Sequence, residues 1–183
     1  MPDLFHHIPL SLLIFLLVAL VLLSNFTMPI LRLFGWRKRS HRQKERQARR
    51  SLAVLTTIQE PGRKFAYLRK VDPFVFEEMI LEAYEQQGYK VKRNHRYTGD
   101  GGIDGRVYLD GQLHLIQAKR YAGHISAAHV REFCQIVAVK GCKGIFVHTG
   151  RTGSASHYSA KCNGNVTIIS GQRLLDLLTV HKG

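Results

Sequence analysis

The sequence predicts an α/β domain, a mixed sheet with helices on both faces, preceded by one transmembrane helix. Three observations predict it. An uncharged apolar run fills the N-terminus, and an Asp-Pro pair at 72–73 opens a stretch of apolar residues at helical spacing. An Asp110-Gly111 pair then divides two strand-like segments, beyond which short strands alternate with helices.

Between Asp3 and Arg32 there is no Asp, Glu, Lys or Arg, and Ile8 to Phe26 is almost continuously apolar. Nineteen residues at about 1.5 Å each reach roughly 28 Å, close to the thickness of a hydrocarbon core. A cleaved signal peptide is disfavoured, because Asp3 and two histidines precede the run where Lys or Arg would stand, and no A-x-A-like site follows. A buried core helix would show a polar face, and this segment has none. From Arg32 to Arg50 there are nine Lys or Arg and one acid, Glu45. Positive flanks remain in the cytoplasm, so the segment predicts a single-pass inner-membrane protein with its C-terminal domain in the cytoplasm. Phe34 and Trp36 are placed for the interface. The run 32–50 is read first as a contact to lipid head groups, with DNA contact as the competing reading.

The net charge of +14 points to polyanionic partners, nucleic acid or anionic lipid, and the 45 % apolar content argues against wholesale disorder. Cys134, Cys142 and Cys162 are too few and too scattered for a disulfide framework and fit a reducing compartment. Residues 51–71 read as a connector interrupted at Pro61-Gly62, with at most a short helix near Leu52 to Ile58.

From Asp72 onward the elements follow in order. Asp72 caps a helix with Pro73 at its first position, and Gly88 ends it. Tyr89 to Arg96 alternates like a strand, Thr98 to Gly102 is a Gly-rich turn, and Ile103 to Leu109 is a second strand. Asp110-Gly111 makes a two-residue hairpin turn into Gln112 to Tyr121. Ser126 caps a helix to about Val139, followed by a buried strand from Gly144 to His148. A helix near Ser154 to Lys161, a strand from Val166 to Ser170 and a helix from Gln172 to Val180 complete the domain. One hairpin plus strands separated by helices implies a mixed sheet.

With Asp110 and Gly111 as the turn, Leu109 faces Gln112 and Asp104 stands opposite Gln117. Lys119, two residues along, projects from the same face as Gln117. A carboxylate, an amide oxygen and an ammonium thus share the open end of the hairpin, where a core strand would carry apolar residues. Mg²⁺ prefers oxygen ligands and is commonly held by one or two carboxylates with substrate phosphates. A lysine beside it suits water orientation and charge stabilisation. On the preceding helix Glu77 borders the apolar stripe of Phe76, Met79, Ile80 and Ala83 and is the acid able to reach inward. Glu78, Glu82 and Glu85 are expected on a solvated face.

The segment FEEMILEAYEQQGYKVKRNHRYTGDGGIDGRVYLDGQLHLIQAKRY, with Glu77, the G-D-G-G-x-D run from Gly99 to Asp104 and Gln117-Ala118-Lys119 in place of E-x-K, resembles the catalytic domain of Mrr-type restriction endonucleases, within the PD-(D/E)xK nucleases. The resemblance extends through Gly144 to Gly150 and the final helix. It implies a restriction-endonuclease-like fold and a type IV restriction endonuclease-like deoxyribonuclease that hydrolyses double-stranded DNA with Mg²⁺, or Mn²⁺ in its place. The implied catalytic residues are Glu77, Asp104, Gln117 and Lys119, the first three also holding the metal. The expected division is 1–31 transmembrane helix, 32–71 basic juxtamembrane linker and 72–183 nuclease domain. Mrr-type enzymes often carry a separate DNA-recognition domain, and here the membrane span stands in its place.

Other residues carry weaker signals. Asp100 is a candidate second metal ligand, although an Asp in such a turn usually bonds its own backbone. Arg120 and Tyr121 follow the lysine and, with Arg106, are candidates for DNA contact, an ordinary surface role being the competing reading. His114 and His148 read as ordinary strand residues, and Ser154 as a helix cap. Double-strand cleavage needs two active sites, which makes a homodimer the expectation. Two alternatives stand beside the restriction nuclease. One is a membrane-tethered DNA-binding protein without activity, which the complete site disfavours; the other is a repair or junction nuclease on the same fold.

Overall fold

The computed structural model describes residues 10–94 and 101–179, with the side chains at 10, 12, 21–40 and 161–163 outside the description. Residues 95–100, which hold the end of the first predicted strand and the start of the Gly-rich turn with Asp100, therefore lie outside the described residues. The chain forms two units, 1–43 and 44–183.

Helix α1 (Leu10–Thr57) begins in the first unit, and its last turns, from Lys44, belong to the second. In the first unit Leu13, Phe15, Leu16, Leu17 and Leu20 are each at least 50 % exposed. Among the described residues no helix is long and apolar enough to cross a membrane. The predicted span 8–26 lies partly outside the described residues.

The second unit continues with α2 (Pro61–Lys70), α3 (Pro73–Gln86), β1 (Lys90–Arg93), β2 (Gly105–Leu109), β3 (Gln112–Lys119), α4 (Ala127–Val139), β4 (Lys143–His148), α5 (Ser154–Asn163), β5 (Val166–Ile169) and α6 (Gly171–Thr179). The strands form one sheet in the order β1-β2-β3-β4-β5. β1, β2 and β3 are antiparallel neighbours, and β3, β4 and β5 are parallel. Connection chemistry explains the split: a two-residue turn can only return a strand antiparallel, while α4 and α5 are crossovers of the length parallel neighbours need. The mixed α/β sheet with helices on both faces is as the sequence predicts.

Alternation along the strands builds two cores. On one face Val107, Ile116, Ala118, Ile145 and Val147 meet Phe76, Met79 and Ile80 of α3 and Leu174, Leu175 and Leu178 of α6. On the other Leu115, Phe146, Val166 and Ile168 meet Val130, Phe133 and Val137 of α4. Asp72 caps α3 as expected, its Oδ1 accepting from the backbone N–H groups of Phe74 and Val75 at 3.0 and 3.2 Å. Ser126 occupies the N-cap of α4 without a side-chain hydrogen bond. Ser154 is the first residue of α5 rather than its cap, and the Gly153 carbonyl accepts from Ser156 and His157.

The stretch expected to be a connector is different. The end of α1 contributes Ala48, Leu52 and Leu55 to the first core, α2 contributes Leu68, and Val71 follows. The compact unit therefore begins at Lys44 instead of Asp72. Only a thin stripe at helical spacing is apolar there, and it is flanked by exposed arginines.

Candidate active site

The hairpin β2–β3 is the foundation. Asp110 and Gly111 have φ of 50° and 77°, the paired left-handed conformation of a type I′ turn. The register follows: Leu109 pairs with Gln112 and Gly105 with Ile116. One step further, the Asp104 N–H donates to the Ile116 carbonyl at 2.8 Å. The Asp104 side chain reaches across to the other strand, where its Oδ2 accepts from the Ala118 N–H at 2.6 Å. Asp104 is thereby fixed against the backbone at Ala118, between Gln117 and Lys119, although the paired ladder ends one residue earlier, at Gly105 and Ile116.

Gln117 is buried, at 6 % exposure. Its amide NH₂ donates to the Gly102 carbonyl at 2.5 Å. That bond turns Oε1 the other way, and Oε1 is buried with no hydrogen-bond partner among the described residues. An orphaned buried acceptor costs about 1–3 kcal/mol, and this one is left available to a ligand. Gly102 makes the arrangement possible. Its φ is +76°, and a Cβ there would lie 2.6 Å from Gln117 Nε2.

Helix α3 brings the second carboxylate. It can lie directly on the hairpin because Gly105 has no side chain: a Cβ there would lie 2.5 Å from Leu81 Cδ2. Leu81 is one turn along α3 from Glu77, and Gly105 follows Asp104. Burial pushes the Glu77 carboxyl up to about 8, reinforced by the Asp104 and Glu78 carboxylates and opposed by Lys119. That interaction places Glu77, Asp104 and Lys119 in one electrostatic neighbourhood. The structure thus brings Glu77, Asp104 and Lys119 into one neighbourhood, and Gln117 stands two residues before Lys119 on β3.

The donor set fits a small hard cation. Two carboxylates and an unengaged amide oxygen offer the oxygen ligands that Mg²⁺ takes, while leaving positions for water and phosphate. A divalent cation would also relieve the repulsion that raises the Glu77 carboxyl.

The three residues expected to touch DNA are engaged with the protein. Arg106 Nη1 donates to Asn94 Oδ1 at 2.9 Å, and Asn94 Nδ2 donates in turn to the Ile103 carbonyl. Arg120 Nη1 donates to the Arg69 carbonyl at 2.9 Å and to the Val71 carbonyl. The Tyr121 hydroxyl bonds His129 Nδ1, and its N–H donates to Thr149 Oγ1 at 3.0 Å.

The solvated face expected on α3 holds for Glu85, which is exposed, but not for Glu78 and Glu82. Glu78 and Glu82 are 2 % and 5 % exposed. Arg93 Nε pairs with Glu78 at 2.9 Å, and its Nη2 with Glu82 at 3.2 Å and Glu85 at 2.7 Å. Arg49 Nε pairs with Glu82 at 2.9 Å. A helical wheel assumes one covered face, whereas α3 meets the sheet on one side and the arginines of β1 and α1 on another. The partners stand 33 residues before Glu82 and 15 after Glu78, so no local signal announces them. His148, expected to be an ordinary strand residue, is fully buried, with Nε2 3.0 Å from Thr152 Oγ1 and Nδ1 accepting from the Gly150 N–H at 3.2 Å. Burial pushes its imidazole down to about 4.

Residues 68–178 match the restriction endonuclease family defined by the Mrr catalytic domain. The chain is also 33 % identical over 125 residues to the type IV methyl-directed restriction enzyme EcoKMrr of Escherichia coli strain K12. That alignment takes in 63 % of this chain and 40 % of the relative, so the chain spans about two fifths of the relative's length. No solved structure gives a significant match. With the family match running through most of the compact unit and more than half of the chain, this protein belongs to the Mrr-type restriction endonuclease family.

Proposed function

We infer that this chain is a divalent-metal-dependent endonuclease that hydrolyses phosphodiester bonds of double-stranded DNA, in restriction of foreign or modified DNA. The observation that carries the reading is the electrostatic grouping of Glu77, Asp104 and Lys119, with the buried, unpartnered Gln117 Oε1 two residues before Lys119 on β3, in a chain of the restriction endonuclease family. A bound Mg²⁺, or Mn²⁺, supplies charge neutralisation at the scissile phosphate and a more acidic water. Asp104, Glu77 and Gln117 would hold it. The bond from Ala118 fixes the Asp104 carboxylate, and the bond to Gly102 keeps the Gln117 oxygen aimed inward. Lys119 orients the attacking water and stabilises the negative charge that develops on the phosphate.

The test is plasmid cleavage by the full chain with Mg²⁺, with Mn²⁺ and with EDTA, on methylated and unmethylated DNA. Metal-dependent cutting that Lys119→Ala removes is expected; binding without cutting in every condition opposes the reading. Cutting both strands calls for two active centres, so linear product is expected to accompany a homodimer on DNA. A preference for methylated DNA would follow the relative, which is named as methyl-directed. A soluble fragment should start no later than Lys44, since Ala48, Leu52 and Leu55 belong to the core.

Residues 8–26 are proposed as a membrane anchor, with the basic run 32–50 against anionic head groups and the nuclease unit in the cytoplasm at the inner membrane. Support comes from the absence of Asp, Glu, Lys and Arg between Asp3 and Arg32 and from the exposed apolar side chains of Leu13 to Leu20. Such an anchor would let the nuclease meet incoming DNA. Full-length protein should resist alkaline extraction from membranes while a fragment from Lys44 does not. Undiminished restriction of incoming DNA after deletion of residues 1–31 would argue against that purpose.

A further inference from the structure

We propose that Arg69 and Arg120 form a reciprocal clamp that positions Lys119 against the helix carrying Glu77. The inference rests on the nuclease reading for its catalytic consequence and on the hydrogen bonds alone for its mechanics. Arg69, in the last turn of α2, sends Nε to the Tyr121 carbonyl at 3.2 Å and Nη2 to the Thr149 carbonyl at 3.1 Å. Arg120 sends Nη1 back to the carbonyls of Arg69, at 2.9 Å, and Val71. Arg120 therefore holds the backbone at Arg69, and Arg69 holds the backbone at Tyr121, the residue after Arg120.

The places joined are the ones that matter for the site. Arg120 and Tyr121 directly follow Lys119, the last residue of β3. Thr149 directly follows β4, its N–H donates to the Lys119 carbonyl at 3.3 Å, and its hydroxyl bonds both the N–H and the carbonyl of Tyr121 at 3.0 Å. On the far side, Arg69 and Val71 lead straight into Asp72, the cap of α3, and Glu77 lies in the helix that it starts. The clamp thus ties the strand end carrying the lysine to the origin of the helix carrying the acid.

Stability alone is a poor account of the clamp. Arg120 Nε is buried and has no partner among the described residues. A charged group left partly unmatched costs desolvation energy that an apolar side chain would not. What the two guanidinium forks supply is geometry, since planar donors at fixed angles hold two carbonyls in a set relation. Positioning of this kind matters because a displacement of about 1 Å at a reacting group costs on the order of 100-fold in rate.

The discriminating variant is Arg69→Lys in the full chain, which keeps the charge and removes the fork. The expected result is a fall in kcat of about 10- to 100-fold with KM for plasmid and the salt dependence of DNA binding unchanged. Amide hydrogen exchange at Lys119 to Tyr121 should speed up, and kcat is read well below the variant's own Tm. Thr149→Val, which releases Tyr121 without touching a charge, should give the same signature at smaller amplitude and serves if Arg69→Lys does not fold. Wild-type kcat in Arg69→Lys, or a weakened KM and flatter salt dependence at unchanged kcat, would overturn the clamp, the latter by showing a phosphate contact. If the wild-type protein cuts no DNA the nuclease reading fails, and hydrogen exchange at 119–121 still decides the clamp: faster in the variants if it exists, unchanged if it does not.

Discussion

Helix α3 carries acids in two settings, and the contrast between them separates architecture from chemistry. Glu78, Glu82 and Glu85 have guanidinium partners: Arg93 bonds all three, and Arg49 adds a second pair to Glu82. The Arg93 guanidinium holds Glu85 below the usual carboxylate range. Glu77 is on the same helix, half-buried, and among the described residues makes no ion pair. Burial and the nearby Asp104 and Glu78 carboxylates push it up to about 8. Buried carboxylates with matched cations are scaffold. Glu77, raised by burial beside another acid and with no ion pair among the described residues, is the kind of group that functional sites collect.

The largest expected effect follows from that division. Asp104→Asn, Glu77→Gln and Lys119→Ala should each lower metal-dependent cleavage by about 10³-fold or more, while Glu85→Gln stays near wild type. Cleavage rates of the four purified variants at saturating Mg²⁺ decide it, and a dead Glu85→Gln beside an active Glu77→Gln would invert the assignment. Next is Arg93→Met, which removes the guanidinium shared by the two buried carboxylates of Glu78 and Glu82. Breaking a buried ion network by removing one partner costs about 3–5 kcal/mol. Arg49→Met, whose side chain is 57 % exposed, should cost no more than about 1 kcal/mol. Urea unfolding of both variants would show whether the two arginines are as unequal as their burial.

The sequence made the scaffold of the site legible because its determinants are local. Asp110-Gly111 sets the turn, the turn sets the register, and the register runs up to Gly105 opposite Ile116, one residue from Asp104. Asp72-Pro73 likewise fixes where α3 begins. What was not legible depends on residues far apart in the chain. Glu78 and Glu82 looked solvated because Arg49 and Arg93 cannot be assigned to them by spacing. The bonds from Arg120 to the carbonyls of Arg69 and Val71 carry no local signal either, because those partners stand 51 and 49 residues away. Residues 44–71 looked like a linker because arginine-rich composition hides a stripe as thin as Ala48, Leu52 and Leu55.

A smaller effect concerns stability against pH. The folded Glu77 carboxyl, pushed up to about 8 from its ordinary value of 4.5, binds a proton that the unfolded chain releases between those limits. Its contribution to stability is present at pH 4 and lost as pH rises through 8. In the metal-free protein Glu77→Gln should therefore stabilise by about 1–2 kcal/mol at pH 8, after allowing for solvent screening, and by almost nothing at pH 4. Mg²⁺ should raise the wild-type Tm at pH 8 and leave that of Glu77→Gln nearly unchanged. Equal gains at both pH values would mean that the carboxyl is not strained.

The smallest effect is the sharpest control, two turns further along the helix. Glu85 is the exposed member of the Arg93 cluster, with a side chain 45 % open to solvent. Its folded carboxyl lies below the ordinary value, so its contribution is present above that value and lost as pH falls through the folded one, opposite in sign to Glu77. Glu85→Gln should cost at most about 1 kcal/mol near neutral pH and vanish in acid, because Glu78 and Glu82 keep Arg93 paired. Tm profiles of Glu77→Gln and Glu85→Gln should therefore diverge from the wild-type curve in opposite directions as pH rises. Two glutamates eight residues apart on one helix would then report, through the sign of a pH slope, which side holds the fold and which side is kept for a cation.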